Sequence, residues 1–117
     1  MTVSRAVKDA ALALFAGQTL AVGLFDGESE ISDPGYARQV TGFSEPKGIP
    51  DDDLRFVENV SELRYPAVSR DHHVDHYGLF DAVGDLLAVF KLLTALDPLV
   101  ADDNAVFQAG SLRVGVL

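Results

Sequence analysis

Short apolar runs separated by polar turns follow one another along most of the chain, as in β-rich proteins. The run TLAVGLF at 19–25 is apolar on both faces, so we expect a strand that is covered on both sides. The alternating segment YARQVTGF predicts a second strand at 36–43. Further strands are predicted at 54–58, 62–68, 73–81, 86–90, 105–108 and 112–117. Polar loops are predicted at 28–35, 44–53 and 94–104.

The segment 76–90, HYGLFDAVGDLLAVF, has the pattern of a β-hairpin. Two apolar runs are separated by Val83, Gly84 and Asp85, which is a turn signal. The first run contains Gly-Leu-Phe-Asp, and the same four residues occur at 23–26. We therefore expect both copies in one sheet system, where each glycine lets a backbone or an aromatic ring approach closely.

The N-terminal segment 4–16 is predicted to be an amphipathic helix. Ser4 or Thr2 can cap its start, and Gly17 suits the position after its last turn. The predicted apolar face comprises Val7, Ala10, Ala11, Leu14 and Phe15. This face is expected to pack on the chain's own sheet or to dock on another subunit.

Together the pattern predicts a mainly β fold, an antiparallel β-sandwich or barrel-like structure of seven to nine short strands with one N-terminal amphipathic α-helix. Helices do not alternate with the strands, which argues against an α/β fold. We expect one domain over 1–117, with the helix at 4–16 and the β-sandwich at 19–117.

Composition excludes several classes of protein. The net charge is −9, with 18 acidic and nine basic residues, so a nucleic acid partner is not expected. There is no cysteine, which excludes disulfides and thiolate metal sites. No apolar run reaches the roughly 20 residues of a membrane helix, and the short run after Lys8 does not fit a signal peptide.

The segment Asp71-His72-His73-Val74-Asp75-His76 is the one constellation that resembles a metal site. On a strand, His72 and His76 would lie ~13 Å apart and could not chelate one ion, so we expect polar histidines without a metal. The run 51–53 lacks the spacing of a calcium loop. No nucleophile motif or phosphate loop occurs, so no catalytic residue and no cofactor are expected.

Five segments of the chain resemble those of small tailed-phage virion proteins, described as tail-fibre-like or structural. That family has a strand LYLGLF, a strand GGGYAR, an apolar segment ending in Phe-Pro, a hairpin HFGIFDA…GNLL and a closing AGDTVSFAAGSLTVTL. The matching segments here are 20–26, 35–40, 63–66, 76–87 and 101–117. The departures are a single glycine before Tyr36, Tyr65 in place of Phe, and Asp102-Asp103-Asn104 in place of Gly-Asp.

The resemblance implies a non-enzymatic component of the phage particle surface. We expect first a capsid decoration (cement) protein, and alternatively a minor tail or tail-fibre-associated protein. A glycan-binding module is a third possibility, which the predicted burial of Tyr36, Tyr65 and Tyr77 disfavours. Expected partners are the major capsid protein or other virion proteins and further copies of the chain, as a trimer, with no membrane. The candidate interface residues are Val7, Ala11, Leu14, Phe15, Ile49, Leu54, Leu112, Val114 and Val116.

Overall fold

The computed structural model describes residues 4–48, 54–99 and 105–116. The fold is mainly β, with antiparallel sheets, a curled half-barrel and one short N-terminal helix, which confirms the predicted fold class. The elements are α1 (Arg5–Ala11), β1 (Thr19–Asp26), β2 (Ser29–Glu30), β3 (Gln39–Gly42), β4 (Lys47–Gly48), β5 (Arg55–Glu58), β6 (Leu63–Arg64), β7 (His72–Phe80), β8 (Leu86–Leu99), β9 (Val106–Phe107) and β10 (Arg113–Val116).

The largest sheet, the main sheet, is built around β1 and β7. Its strand order is β2-β1-β7-β8, and β3 pairs with the same side of β1 as β2 does, further along the strand. All of these pairs are antiparallel. The β7–β8 hairpin is the one that the sequence predicts at 76–90, and its turn contains Gly84 with φ of 92°.

The two Gly-Leu-Phe-Asp segments pair with each other at the centre of this sheet. Gly23 lies opposite Gly78, and the antiparallel register continues to Phe25 opposite His76. A Cβ on Gly78 would overlap the Phe25 ring, and one on Gly23 would lie 2.9 Å from a Phe80 ring carbon. The expectation that these glycines let aromatic rings approach the backbone is therefore confirmed.

Two smaller sheets, β10-β5-β4 and β6-β9, complete the fold. Asn59 joins them, because its amide group donates to the carbonyls of Ser61 and Gln108 and its carbonyl accepts from Leu112 N–H. The side chains buried most completely in the core come from all three sheets and from the segment after α1: Leu12, Val22, Leu24, Val57, Leu63, Tyr65, Val74 and Leu79.

The N-terminal helix is shorter than predicted and buries a different face. Regular α-helix ends at Ala11, and turns continue to Gly17, which has φ of 65°. Ser4 caps the start as predicted, since its Oγ accepts from Val7 N–H.

The buried positions are Lys8, Leu12 and Phe15, whereas Val7, Ala10, Ala11 and Leu14 are exposed, so the predicted apolar face is wrong except for Phe15. The run AALALF offers more than one apolar face, and contacts with the sheets select among them. No helix in the described part of the chain is long and apolar enough to cross a membrane.

Several predicted boundaries differ from the structure. The described residues form ten strands where seven to nine were predicted, because the short strands β2 and β4 lie in the predicted loops 28–35 and 44–53. The segment 94–99, predicted as loop because of Pro98, belongs to β8. Proline is compatible with an edge strand, and β8 has β7 as its one partner among the described residues. The predicted strands at 36–43 and 62–68 shorten to β3 and β6, because the residues around Tyr36 and Pro66 form turns and irregular backbone.

Candidate functional site

The long strand β8 forms an open edge of the main sheet. It runs from Leu86 to Leu99 and pairs on one side with β7, while no described strand lies on its other side. Leu86 and Lys91 are exposed, and residues 87–90 are half-buried. An unpaired edge presents backbone N–H and C=O groups that can accept a strand from another polypeptide. This edge is therefore a candidate assembly surface.

Apolar side chains on the surface mark further candidate contacts. The large exposed ones in the described part of the chain are Val7, Leu14, Val40, Val60, Val83, Leu86 and Val106. Val40 and Val60 both lie near Gly42, since Val40 is two residues before it in β3 and Val60 N–H donates to its carbonyl. Such residues can be buried without disturbing the subunit's own core.

The predicted interface residues fall into three groups. Val7, Ala11 and Leu14 are exposed, and Leu54 is half-buried. Phe15, Leu112 and Val114 belong to the core of the subunit, so they are covered before any partner binds. Ile49 lies outside the described residues, and Val116 is described for its backbone, which pairs with Arg55. The interface itself stays a prediction, and its exposed members are Val7, Ala11 and Leu14.

His72, the first residue of β7, pairs with a buried carboxylate. Its Nε2 lies 2.8 Å from Asp33 Oδ2, and the carboxylate also accepts hydrogen bonds from the N–H groups of Gly35 and Ser69 and from the Ser69 hydroxyl. The hydrogen bond with His72, followed by those from Gly35 and Ser69, holds the pKa of Asp33 well below its usual range. This network ties the 31–36 loop to the segment before β7, which is a structural role.

His73, Asp75 and His76 lie on β7 beside the end of β1. Asp75 Oδ1 accepts a hydrogen bond from Gly27 N–H at 2.8 Å and lies 2.7 Å from His76 Nδ1. These contacts, with that of His76 the strongest, hold the pKa of Asp75 below its usual range. Asp26, at the end of β1, brings a second carboxylate to His73 and Asp75.

From the sequence, His72 and His76 are not expected to chelate one ion. In the structure, His72 is bonded to Asp33 and His76 is bonded to Asp75. The structure instead brings Asp26 to this segment from another strand. The repeated Gly-Leu-Phe-Asp was the available signal, because pairing of the two copies puts the end of the first beside the approach to the second. The acidic run 51–53, considered for calcium, lies outside the described residues.

Arg38, Glu30 and Tyr36 form a polar cover on the outer face of the main sheet. The Arg38 guanidinium lies 3.5 Å from the centre of the Phe80 ring and makes two hydrogen bonds to Glu30. Tyr36 also donates to Glu30 and accepts from Leu24 N–H. Burial opposes ionisation of Glu30, but the bonds from Arg38 and Tyr36 outweigh it and lower the pKa of this carboxyl. The cover shields the Phe25–Phe80 pair from water.

The three tyrosines do not form an exposed aromatic platform. Tyr65 and Tyr77 are buried, and Tyr36 is half-buried with its ring stacked on that of Tyr65. Burial raises the pKa of Tyr77 to about 12. The predicted burial of Tyr65 and Tyr77 is thus confirmed and that of Tyr36 is partial, so these tyrosines do not offer an exposed surface for a glycan.

In a comparison with known protein families, one family model matches nearly the whole chain. The family model described as "Podophage GP4 fiber I protein gp80" matches residues 3–115. No curated protein and no solved structure matches.

Proposed function

We propose, since the chain belongs to the podophage GP4 fiber I protein gp80 family, that it is a non-enzymatic structural subunit of a phage fibre. Membership supports a phage structural protein associated with a fibre, as the resemblance implied. The observation that carries the proposal is the extent of the match, residues 3–115. A match of this extent includes the main sheet, the helix and all but the last residue of the two smaller sheets, so it concerns nearly the whole described fold.

The geometry supports a role in assembly. The buried polar groups His72, Asp33 and Asn59 are engaged in hydrogen bonds that hold loops and sheets together. The surface, in contrast, offers the open edge of β8 and the exposed apolar residues Val7 and Leu14. A subunit of a fibre needs contacts of this kind to other copies or to neighbouring virion proteins. We propose further copies of the chain and adjacent virion proteins as its partners.

A capsid decoration protein was the first expectation from the sequence, and it stays a prediction. The acidic composition is compatible with it. The family description names a fibre, and for that reason we place the fibre ahead of the capsid. Both alternatives would use an apolar contact surface, which therefore does not distinguish them. They differ in where the protein lies on the particle and in how many copies are present.

Purified virions can distinguish these locations. Quantitative mass spectrometry would count copies of the chain relative to the major capsid protein, and gold-labelled antibodies would locate it by electron microscopy. Far fewer copies than the capsid protein, with label on the fibres, are expected. Copies in a simple ratio to the capsid subunit, with label over the head, would contradict the fibre and support decoration. Absence from the particle would contradict both.

A further inference from the structure

Three side chains with metal-binding groups converge where β1 ends and β7 begins. Asp26 is the last residue of β1, and His73 and Asp75 lie near the start of β7. One potential ligand atom from each lies within 4.8 Å of the other two. In 4–48, 54–99 and 105–116, this is the one such group of three residues. It lies at the surface, since Asp26 and His73 are exposed and Asp75 is half-buried.

The pairing of β1 with β7 forces the two carboxylates together. Phe25 lies opposite His76, so the next residue of β1, Asp26, and the preceding residue of β7, Asp75, come side by side. Like charges at neighbouring cross-strand positions repel each other. A cation between the carboxylates would turn this repulsion into attraction, and the imidazole of His73 completes a donor set for it.

The Asp75 carboxylate is already oriented for such a role. Its Oδ1 is engaged by Gly27 N–H and by His76 Nδ1, at 2.8 and 2.7 Å. Its Oδ2 consequently faces His73, whose Nε2 lies 3.4 Å away. In the metal sites of proteins, hydrogen bonds to the metal-binding side chains regularly fix the orientation of those side chains.

The separation of two of the ligand atoms fits a small tetrahedral ion. Two ligands that each lie ~2.1 Å from a tetrahedral zinc ion are about 3.4 Å from each other. The separation of His73 Nε2 and Asp75 Oδ2 is 3.4 Å. Asp26 is exposed at a strand end, where a change of rotamer can bring its carboxylate closer than the present limit of 4.8 Å. Calcium is a poorer match, because it takes six to eight oxygen ligands.

We propose that Asp26, His73 and Asp75 bind a divalent transition-metal ion of the zinc type, with the fourth coordination position open to solvent. One imidazole and two carboxylates suit this class of ion, and the two negative charges balance its charge. The alternative is an ion pair between protonated His73 and the two carboxylates, in which case the cluster would bind no metal.

Isothermal titration calorimetry of the full chain, stripped with a chelator, tests the site with zinc chloride and with calcium chloride. We expect one zinc ion per chain and weaker binding of calcium. Asp26→Asn and His73→Gln should each weaken zinc binding at least tenfold. Glu28→Gln is the matched control, because it removes an exposed acid from the same turn and should leave the affinity unchanged. Circular dichroism would verify that each variant is folded.

Histidine ring resonances provide a second readout. Zinc should shift the ring signals of His73 and leave those of His72, which is bonded to Asp33, in place. Absence of zinc binding, or equal loss of affinity in Glu28→Gln and Asp26→Asn, would overturn the proposal. Unchanged affinity in His73→Gln would overturn it too, since it would mean diffuse attraction to acidic residues.

Discussion

Gly23 and Gly78 lie directly opposite each other on β1 and β7, and the Phe25 and Phe80 rings occupy the space where their side chains would be. The rings are stacked with centroids 6.1 Å apart. The repeated Gly-Leu-Phe-Asp segment thus builds a symmetric contact with itself, in which each glycine is next to the phenylalanine of the other strand.

A methyl group at Gly78 should therefore destabilise the fold. Gly78→Ala is expected to lower the free energy of unfolding by about 1–3 kcal/mol, because the Phe25 ring has to leave its position. Urea denaturation measures the change. Gly42→Ala is the control, since its nearest neighbour is the exposed Val60 side chain, which can move. Equal effects of the two substitutions would contradict the packing argument.

Removal of the Tyr65 hydroxyl should weaken the contact between the segment after β6 and strand β1 of the main sheet. Tyr65 is 1% exposed, and its hydroxyl donates to the Val22 carbonyl at 2.7 Å. Tyr65→Phe should cost about 1 kcal/mol of unfolding free energy. Tyr77→Phe should cost less, because the Tyr77 hydroxyl makes a longer bond of 3.3 Å to the Arg113 carbonyl. A larger loss of unfolding free energy in Tyr77→Phe than in Tyr65→Phe would contradict this ranking of the two hydrogen bonds.

The Asp33 network predicts a loss of stability in acid. The pKa of Asp33 is lowered in the folded state, so the unfolded chain binds protons more readily. Its stabilising contribution is present above about pH 4 and is lost as the pH falls toward the folded-state pKa. Asp33→Asn should be less stable than the wild type at pH 7, and the difference in urea midpoint should narrow at pH 3. Glu28→Gln, an exposed control, should show no such convergence.

The short helix α1 is expected to depend on one ion pair. Arg55 makes two hydrogen bonds to the Asp9 carboxylate, at 2.8 and 3.1 Å, and its side chain is largely buried. Arg55→Met should speed hydrogen exchange of the backbone amides in 5–17, measured by mass spectrometry. Lys47→Met, which removes a more exposed ion pair with Glu58, should leave that exchange unchanged. Equally faster hydrogen exchange in Arg55→Met and Lys47→Met would mean that the ion pair of Arg55 with Asp9 does not stabilise the helix specifically.

The interface prediction can be tested without disturbing the core. Val7 and Leu14 are 57% and 64% exposed, so Val7→Asp combined with Leu14→Asp should leave the melting temperature near that of the wild type. The same variant should enter phage particles in reduced amount, measured by immunoblotting of purified virions. Val83→Asp, in the exposed β7–β8 turn, should enter normally. Deletion of residues 1–16 would be a poor test, because it also removes the buried Leu12 and Phe15.

Incorporation of the double variant at the wild-type level would exclude this face of the N-terminal segment as a contact. The open edge of β8 and the exposed apolar residues Val40 and Val60 would then remain as candidates.

Strands whose hydrophobic pattern is local can be predicted from the amino-acid sequence. The apolar run at 19–25, the β7–β8 hairpin and the Ser4 cap follow from side chains near in sequence, and the structure has each of them. Gly17, expected directly after the helix, instead ends the turns that follow Leu12. The mainly β class follows from the spacing of such runs. These features depend on backbone preferences and burial of adjacent residues, which a single sequence contains.

Tertiary structure alone decided the rest, because it depends on contacts between distant residues. The run AALALF is apolar on several sides, and packing on the sheets selected Leu12 and Phe15 for burial while leaving Leu14 in solvent. The register of β1 against β7 placed Asp26 beside Asp75, although 48 residues separate the bonded pair Gly27 and Asp75. Periodicity assigns residues to strands, but the pairing of strands determines which charges and ligands meet.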